Sequence, residues 1–212
     1  GCLNLGGGYS FCEYGKEQFG YENVERALYK SSNMFFCNYL LHQTSAGDYS
    51  GFENSANIFN IGQKTNIDVI GETAGNMDSP QYRKDFLNLS WFDGDTCNAA
   101  IGQGAILVTP VQMAMVASAI ANNGKVYQPH VLKDIQDIYK NIVKQAEPQV
   151  IKQVPISDET LSLINSGMSQ VANNPEGTVY YFLNGLPGNL RVKTGTAEAY
   201  ENVNGQQVYR TH

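Results

Sequence analysis

Long apolar runs are missing from this chain. No stretch approaches the roughly 18 consecutive apolar residues that a membrane-spanning helix requires, and no basic, apolar and small-residue leader opens it. These residues are expected to fold in water, and the location of a longer parent would have to come from its family. Charge is also scarce, at 16% of residues, and its balance of 14 basic against 20 acidic side chains gives a formal net charge of −6. A polyanion would meet a mildly acidic surface, which argues against nucleic acid as a partner. Cys2, Cys12, Cys37 and Cys97 include no Cys-x-x-Cys pair and stand near no histidine cluster, so neither a metal centre nor a redox site is expected. Buried free thiols are the default for them. A Cys2–Cys12 bridge stays open outside the cytoplasm, and four cysteines allow three full pairings that sequence does not separate. Gly102-x-Gly104 lacks the third glycine or the Gly-Lys-Ser/Thr of a phosphate loop, and no cofactor is implied.

What is present suits a folded domain. The chain is 42% hydrophobic and 11% aromatic, enough for a sizeable core. Without repeats or low-complexity tracts, 1–212 reads as one continuous domain. Gly6-Gly7-Gly8 marks a loop. Val24, Ala27 and Leu28, then Phe35, Phe36, Tyr39 and Leu40, recur at helical spacing on either side of Ser31-Ser32-Asn33. From Gly47 to Asn98 periodicity fades, which predicts a long irregular connection over the surface. Thr109-Pro110 and Asn123-Gly124 bracket a helix, as do Ser157 and Asn173-Asn174-Pro175. Leu190, Val192 and Thr194 alternate as in a strand, and Asn204-Gly205 predicts a two-residue hairpin.

Two short elements carry chemistry. Lys193-Thr194-Gly195-Thr196, on the predicted strand, would turn a cation, two hydroxyls and a glycine open to close approach toward one cleft. Ser31-x-Asn33 places a hydroxyl and an amide at a helix start. Alone, the first reads as a solvated strand lysine and the second as a helix cap. Together they match two of the three elements, Ser-x-x-Lys, Ser-x-Asn and Lys-Thr-Gly, that mark serine β-lactamases and penicillin-binding proteins. Trp91 and Phe92 read as packing anchors, Gly102-Gln103-Gly104 as a turn, and His42 and His130 as structural or surface residues.

With Ala27-Leu28-x-x-Ser31-Ser32-Asn33-x-x-Phe36, Thr65-x-Ile67-Asp68-x-x-Gly71-Glu72, Trp91-x-x-Gly94-Asp95-Thr96-x-Asn98-x-x-Ile101-Gly102-Gln103-Gly104, Thr109-Pro110-x-Gln112-Met113-Ala114, Ala121-Asn122-Asn123-Gly124, Gly177-Thr178 and Lys193-Thr194-Gly195-Thr196-Ala197-Glu198, the chain resembles the class B penicillin-binding proteins over nearly its whole length. Gly94-Asp95-Thr96 and Ile101-Gly102-Gln103-Gly104 are most similar to the elongation-type branch. The resemblance implies an α/β (α+β) transpeptidase fold, an antiparallel sheet covered by helices with a helical subdomain, here truncated at both ends. It also implies a peptidoglycan D,D-transpeptidase of the bacterial cell membrane, with its catalytic domain on the extracytoplasmic face. Its partners would be stem peptides ending in D-alanyl-D-alanine, β-lactam antibiotics, and membrane proteins of cell-wall synthesis such as a glycosyltransferase.

Carried over by resemblance, Ser31 relays a proton, Asn33 binds the substrate backbone, and Lys193 supplies positive potential. Thr194 and Thr196 bind the substrate carboxylate, the Thr196 N–H forms half of an oxyanion hole, and Gly195 is the position least tolerant of a side chain. No Ser-x-x-Lys occurs in these residues. The acylated serine is therefore expected upstream of Gly1, and the fragment alone is expected to be inactive. A serine β-lactamase, a β-lactam sensor domain and a non-catalytic scaffold of the cell-wall machinery remain the other readings.

Overall fold

The computed structural model describes residues 1–45, 47–203 and 206–211, with side chains through residue 197. In chain order, strands β1 (Cys2–Asn4) and β2 (Ser10–Cys12) precede helices α1 (Val24–Lys30), α2 (Asn33–Gln43) and α3 (Ser50–Ile58). A single turn α4 (Pro80–Tyr82) and a π-helical stretch (Arg83–Leu87) come before α5 (Asp93–Ala100) and α6 (Pro110–Ala121). Then follow β3 (Lys125–Tyr127), β4 (Asp134–Gln136), β5 (Ile142–Gln145), β6 (Val150–Gln153), α7 (Asp158–Asn173), α8 (Tyr180–Leu183), β7 (Glu198–Val203) and β8 (Gln206–Thr211). The class is mixed α/β, as expected. Pairing among the described residues is antiparallel and two-stranded throughout, joining β1 with β2, β3 with β6, β4 with β5 and β7 with β8.

The chain divides into two compact units, Gly1–Asp48 with Arg83–Gly104 and Ser162–His212, and Tyr49–Tyr82 with Ala105–Leu161. In the first, Phe11, Cys37 and Cys97 are buried together, with Leu3, Leu5, Met34, Leu41 and Ile101 packed around them. Cys37 of α2 and Cys97 of α5 form a disulfide across that core, and Cys2 and Cys12 close a second between directly paired residues of β1 and β2. The default of free thiols is thereby corrected: all four cysteines are bridged.

In the second unit, Met115, Ala119 and Val126 form the core with Ile58, Phe59 and Val154. Gln112, within the first turn of α6, is fully buried. Its amide nitrogen donates to the carbonyls of Asn60 (2.6 Å), Gln63 (2.8 Å) and Ala74 (2.9 Å), while its oxygen accepts from Thr109 N–H (2.8 Å). One side chain thus satisfies backbone groups of an otherwise irregular loop, as burial demands. Glu72 receives Thr65 N–H (2.6 Å) and Asn66 N–H (3.0 Å) and also bonds the Thr65 hydroxyl, which holds its carboxyl below the usual range. These contacts give the Thr65-to-Glu72 motif a structural role.

Several expectations hold. Helices α1, α2, α6 and α7 fall where periodicity and caps place them, and β7 and β8 pair from Val203 and Gln206. The Asn204-Gly205 connection itself lies outside the described residues. Others are corrected. The connection from Gly47 to Asn98 is not irregular throughout, since it contains α3 and the start of α5. Residues 190–197 are not a strand: among the described residues no strand pairs with them, and Val192 N–H bonds instead to the Met168 carbonyl of α7 (3.1 Å). Trp91 is anchored through its indole N–H to the Thr96 hydroxyl (2.8 Å) and lies under the Arg83 guanidinium, whereas Phe92 is 69% exposed and anchors nothing.

Candidate active site

The site begins at the junction of α1 and α2. Ser32 N–H bonds to the Ala27 carbonyl (2.9 Å) and Ser31 N–H to the Leu28 carbonyl (3.3 Å), the paired contacts that close a helix through a left-handed residue. That residue is Ser31, at φ 55° and ψ 46°. A non-glycine residue there carries roughly 1–2 kcal/mol of backbone strain, which the surrounding structure must hold in place. Helix α2 starts two residues later, with Ser32 as its N-cap, accepting from Phe35 N–H (3.2 Å). The helix-cap reading and the functional reading thus belong to adjacent serines: Ser32 caps, and Ser31 is left to project.

Ser31 meets Lys193. The ammonium donates to Ser31 Oγ (2.7 Å) and to the Thr194 carbonyl (2.9 Å), bringing together residues 162 positions apart. The residue as a whole is exposed, yet desolvation of the ammonium pulls the Lys193 pKa below the ordinary lysine range. A hydroxyl that accepts from a lysine keeps its own proton to give, and this is the arrangement a proton relay needs. Asn33 follows at the first position of α2, and its side-chain amide donates not to Ser31 or Lys193 but to the Cys12 carbonyl (3.3 Å).

Two residues that the sequence placed in family segments without a role of their own hold the Lys193-to-Thr196 segment. Thr178 and Thr194 share a hydrogen bond between their hydroxyls (3.2 Å), and Gln103 Nε2 donates to the Thr196 carbonyl (2.9 Å). Thr178 is itself placed by its N–H on the Tyr29 carbonyl (3.3 Å), next to a Glu176 carboxylate paired with Arg26 (3.2 Å) and Lys30 (3.6 Å). Gly177 is required there: a Cβ would stand 2.5 Å from the Gln170 carbonyl oxygen and closer still to that of Val171. At Gly195 a Cβ would meet nothing within 4 Å, so the chain itself does not impose the intolerance expected at that position.

Behind the serine turn lies a pair of carboxylates. Glu13, only 5% exposed, takes Asn33 N–H on Oε2 (2.9 Å) and Met34 N–H on Oε1 (2.8 Å). Ser32 Oγ stands 2.7 Å from Glu13 Oε1 and 2.8 Å from Glu22 Oε2. The hydroxyl has one hydrogen to give, so it can donate to only one of the two carboxyls at a time. Burial, with the charge of Glu13 added, pushes the Glu22 carboxyl above its usual value, against the opposing pull of Ser32, Arg26 and Lys30.

A raised carboxyl pKa lends stability that is fully present below the unfolded value, near 4.5, and is lost as pH rises through the folded value. Glu22→Gln should remove that loss, so its melting temperature relative to the parent should climb as pH is raised from about 4 toward 7. Thermal melts across that range give the comparison, and parallel profiles for the two proteins would contradict it.

A serine hydroxyl held by a lysine, beside a segment carrying further hydroxyls, is able to pass a proton to or from a bound group. The family model for the penicillin binding protein transpeptidase domain matches residues 5–212, and the chain belongs to this family. It is 30% identical over 194 residues to the peptidoglycan D,D-transpeptidase MrdA of Escherichia coli K12, covering 90% of this chain and 29% of that protein. It is 27% identical to penicillin-binding protein 2A of Bacillus subtilis over 87% of this chain and 26% of that protein. Among solved structures, PBP2 of Helicobacter pylori, in its complex with MreC, superposes with a TM-score of 0.76 at 26% identity, covering 93% of this chain and 34% of that one. The chain thus spans less than a third of the length of these curated relatives.

Proposed function

We propose that the protein carrying this chain is an elongation-type peptidoglycan D,D-transpeptidase. The observation that carries the reading is the Lys193–Ser31 hydrogen bond, which joins two of the family's three motif elements at 2.7 Å. The third element, with the nucleophilic serine, is assigned to sequence outside these residues. That serine attacks the penultimate D-alanine carbonyl of a stem peptide: its Oγ–C bond forms, the C–N bond to the terminal D-alanine breaks, and the serine's proton passes by way of Ser31 to the departing amine. An amine of a neighbouring stem then attacks the ester, a new C–N bond forms, the C–O bond breaks, and the amine's proton returns to the serine.

In this scheme Lys193 provides positive potential toward the substrate carboxylate, and the Thr194 and Thr196 hydroxyls bind it. The Thr196 N–H contributes to the oxyanion hole, Gly195 leaves room for the substrate strand, and Asn33 binds the substrate backbone. β-Lactams acylate the same serine as mimics of the dipeptide. The protein is assigned to the bacterial cell membrane with this domain on the extracytoplasmic face, in keeping with two disulfides, which persist in oxidising compartments. Its partners are assigned among membrane proteins of cell-wall synthesis, including a glycosyltransferase; the H. pylori relative has been solved with MreC.

Labelling of the full-length protein with a fluorescent penicillin, followed by mass spectrometry, tests the reading. The expected result is a single long-lived adduct on a Ser-x-x-Lys serine outside these 212 residues. Rapid turnover of the adduct would indicate a β-lactamase instead, and well-folded protein that takes no label would indicate a scaffold.

A further inference from the structure

We infer that Glu13 is a positioning residue for acyl transfer: its buried carboxylate fixes the Ser31-Ser32-Asn33 turn in the conformation that presents the Ser31 hydroxyl to Lys193. The inference rests on the acyl-transfer reading above and adds to it a residue outside the motifs that carry that reading.

The turn is held from two sides. On its N-terminal side, the backbone bonds of Ser31 and Ser32 fix it to the end of α1. Toward α2, the opening N–H groups of a helix have no partner within the helix. Here Asn33 N–H and Met34 N–H both go to Glu13, and Phe35 N–H goes to Ser32 Oγ, which also lies against Glu13. One carboxylate therefore binds the helix start directly and through the capping serine. A negative charge at this end of a helix is also favoured by the helix dipole.

Glu13 is itself fixed. It follows β2, whose last residue, Cys12, is bridged to Cys2 and gives its carbonyl to the Asn33 side chain. The Glu13 N–H bonds to the Gly1 carbonyl (2.9 Å), and its carbonyl accepts from Lys16 N–H (2.9 Å). A single anchored acid thus sets the backbone where the turn enters α2, while Ser31 sits in a strained left-handed conformation that relaxes when the turn is released.

The test uses the full-length protein with Glu13→Gln, which keeps the shape and one acceptor, and Glu13→Leu, which removes both. Acylation by a chromogenic penicillin is followed by stopped flow, separating the rate constant at saturation from the dissociation constant, with circular dichroism confirming folding at the assay temperature. The expected result for Glu13→Gln is a saturating acylation rate lowered by roughly 10-fold or more with penicillin affinity changed by less than about 3-fold, since misplacement of reacting groups by about 1 Å costs up to ~10²-fold. Hydrogen exchange should show faster exchange at the Asn33 and Met34 amides. Glu13→Asp, with its shorter reach, should not restore the rate.

Glu13→Gln that is folded and acylates at the parent rate overturns the inference while leaving the acyl-transfer reading intact. If Glu13→Leu fails to fold, Glu13→Gln alone decides. Parent protein that does not acylate at all sinks the acyl-transfer reading and the inference with it.

Discussion

Ser31→Ala in the full-length protein is expected to lower the rate of penicillin acylation by about 10²–10⁴-fold, the usual worth of a positioned proton-transfer group. Lys193→Ala should fall in the same range, because its ammonium reaches the same oxygen at 2.7 Å. Ser31 contributes through its hydroxyl and not through burial, so the alanine variant should melt close to the parent. Its effect should appear in the saturating rate more than in the apparent affinity, as for an interaction made in the transition state. Under the proposed function, Lys193→Ala should in addition weaken affinity for ligands that carry a carboxylate, because that reading has its ammonium provide the positive potential they meet. Stopped-flow acylation at several penicillin concentrations separates the two quantities for both variants.

Opening the Cys37–Cys97 bridge is the second large effect. This disulfide closes a stretch of 60 residues, and both cysteines are fully buried in the core shared by α2, α5 and β2. The entropy lost by the unfolded chain when a loop of this length is closed corresponds to about 4 kcal/mol. The double variant Cys37→Ala/Cys97→Ala should lose stability of that order and add a penalty for lost packing. The Cys2–Cys12 pair closes only 10 residues, between strands that already pair, so opening it should cost less. Denaturant titrations of the two double variants check the ranking, and equal losses would contradict it. The same difference predicts that mild reductant leaves the fold standing until the Cys37–Cys97 bridge opens.

The parts of the fold that were readable from sequence are those whose signals are local. Thr109-Pro110-x-Gln112 spells a capping box with proline at the first helical position, and α6 begins there. Ser157 caps α7 through Thr160 N–H (3.1 Å), and the apolar stripe behind it carries the helix to Asn173. Helix α3 escaped because Ser-Gly-Phe-Glu-Asn-Ser-Ala-Asn-Ile is rich in residues that form helices poorly, and none of its residues is buried, Ile58 at its end alone packing against the core of its unit.

The site followed the same division. Ser31 and Lys193 were identified by type and order, and the structure brings them together. Lys193 does not stand on a strand, because alternation indicates which side chains share a face and not whether a partner strand is present to bond the backbone. Gln103 was legible only as part of a family segment and a glycine turn, with no sign of its bond to Thr196, and Glu13 carried no signal of its own, being a lone acid whose partners lie about 20 residues on. The cysteine pairing likewise depended on the packing of α2 against α5, which spacing along the chain does not reveal.

The most direct test of the account is a double-mutant cycle on acylation of the full-length protein, with Ser31→Ala, Lys193→Ala and the two combined. If the serine hydroxyl and the lysine act as one unit, the double variant should be only slightly slower than either single variant, a coupling well beyond the roughly 0.5 kcal/mol within which independent sites add. Rate losses that simply multiply would mean that the two residues act separately, and that their hydrogen bond is not the centre of the site.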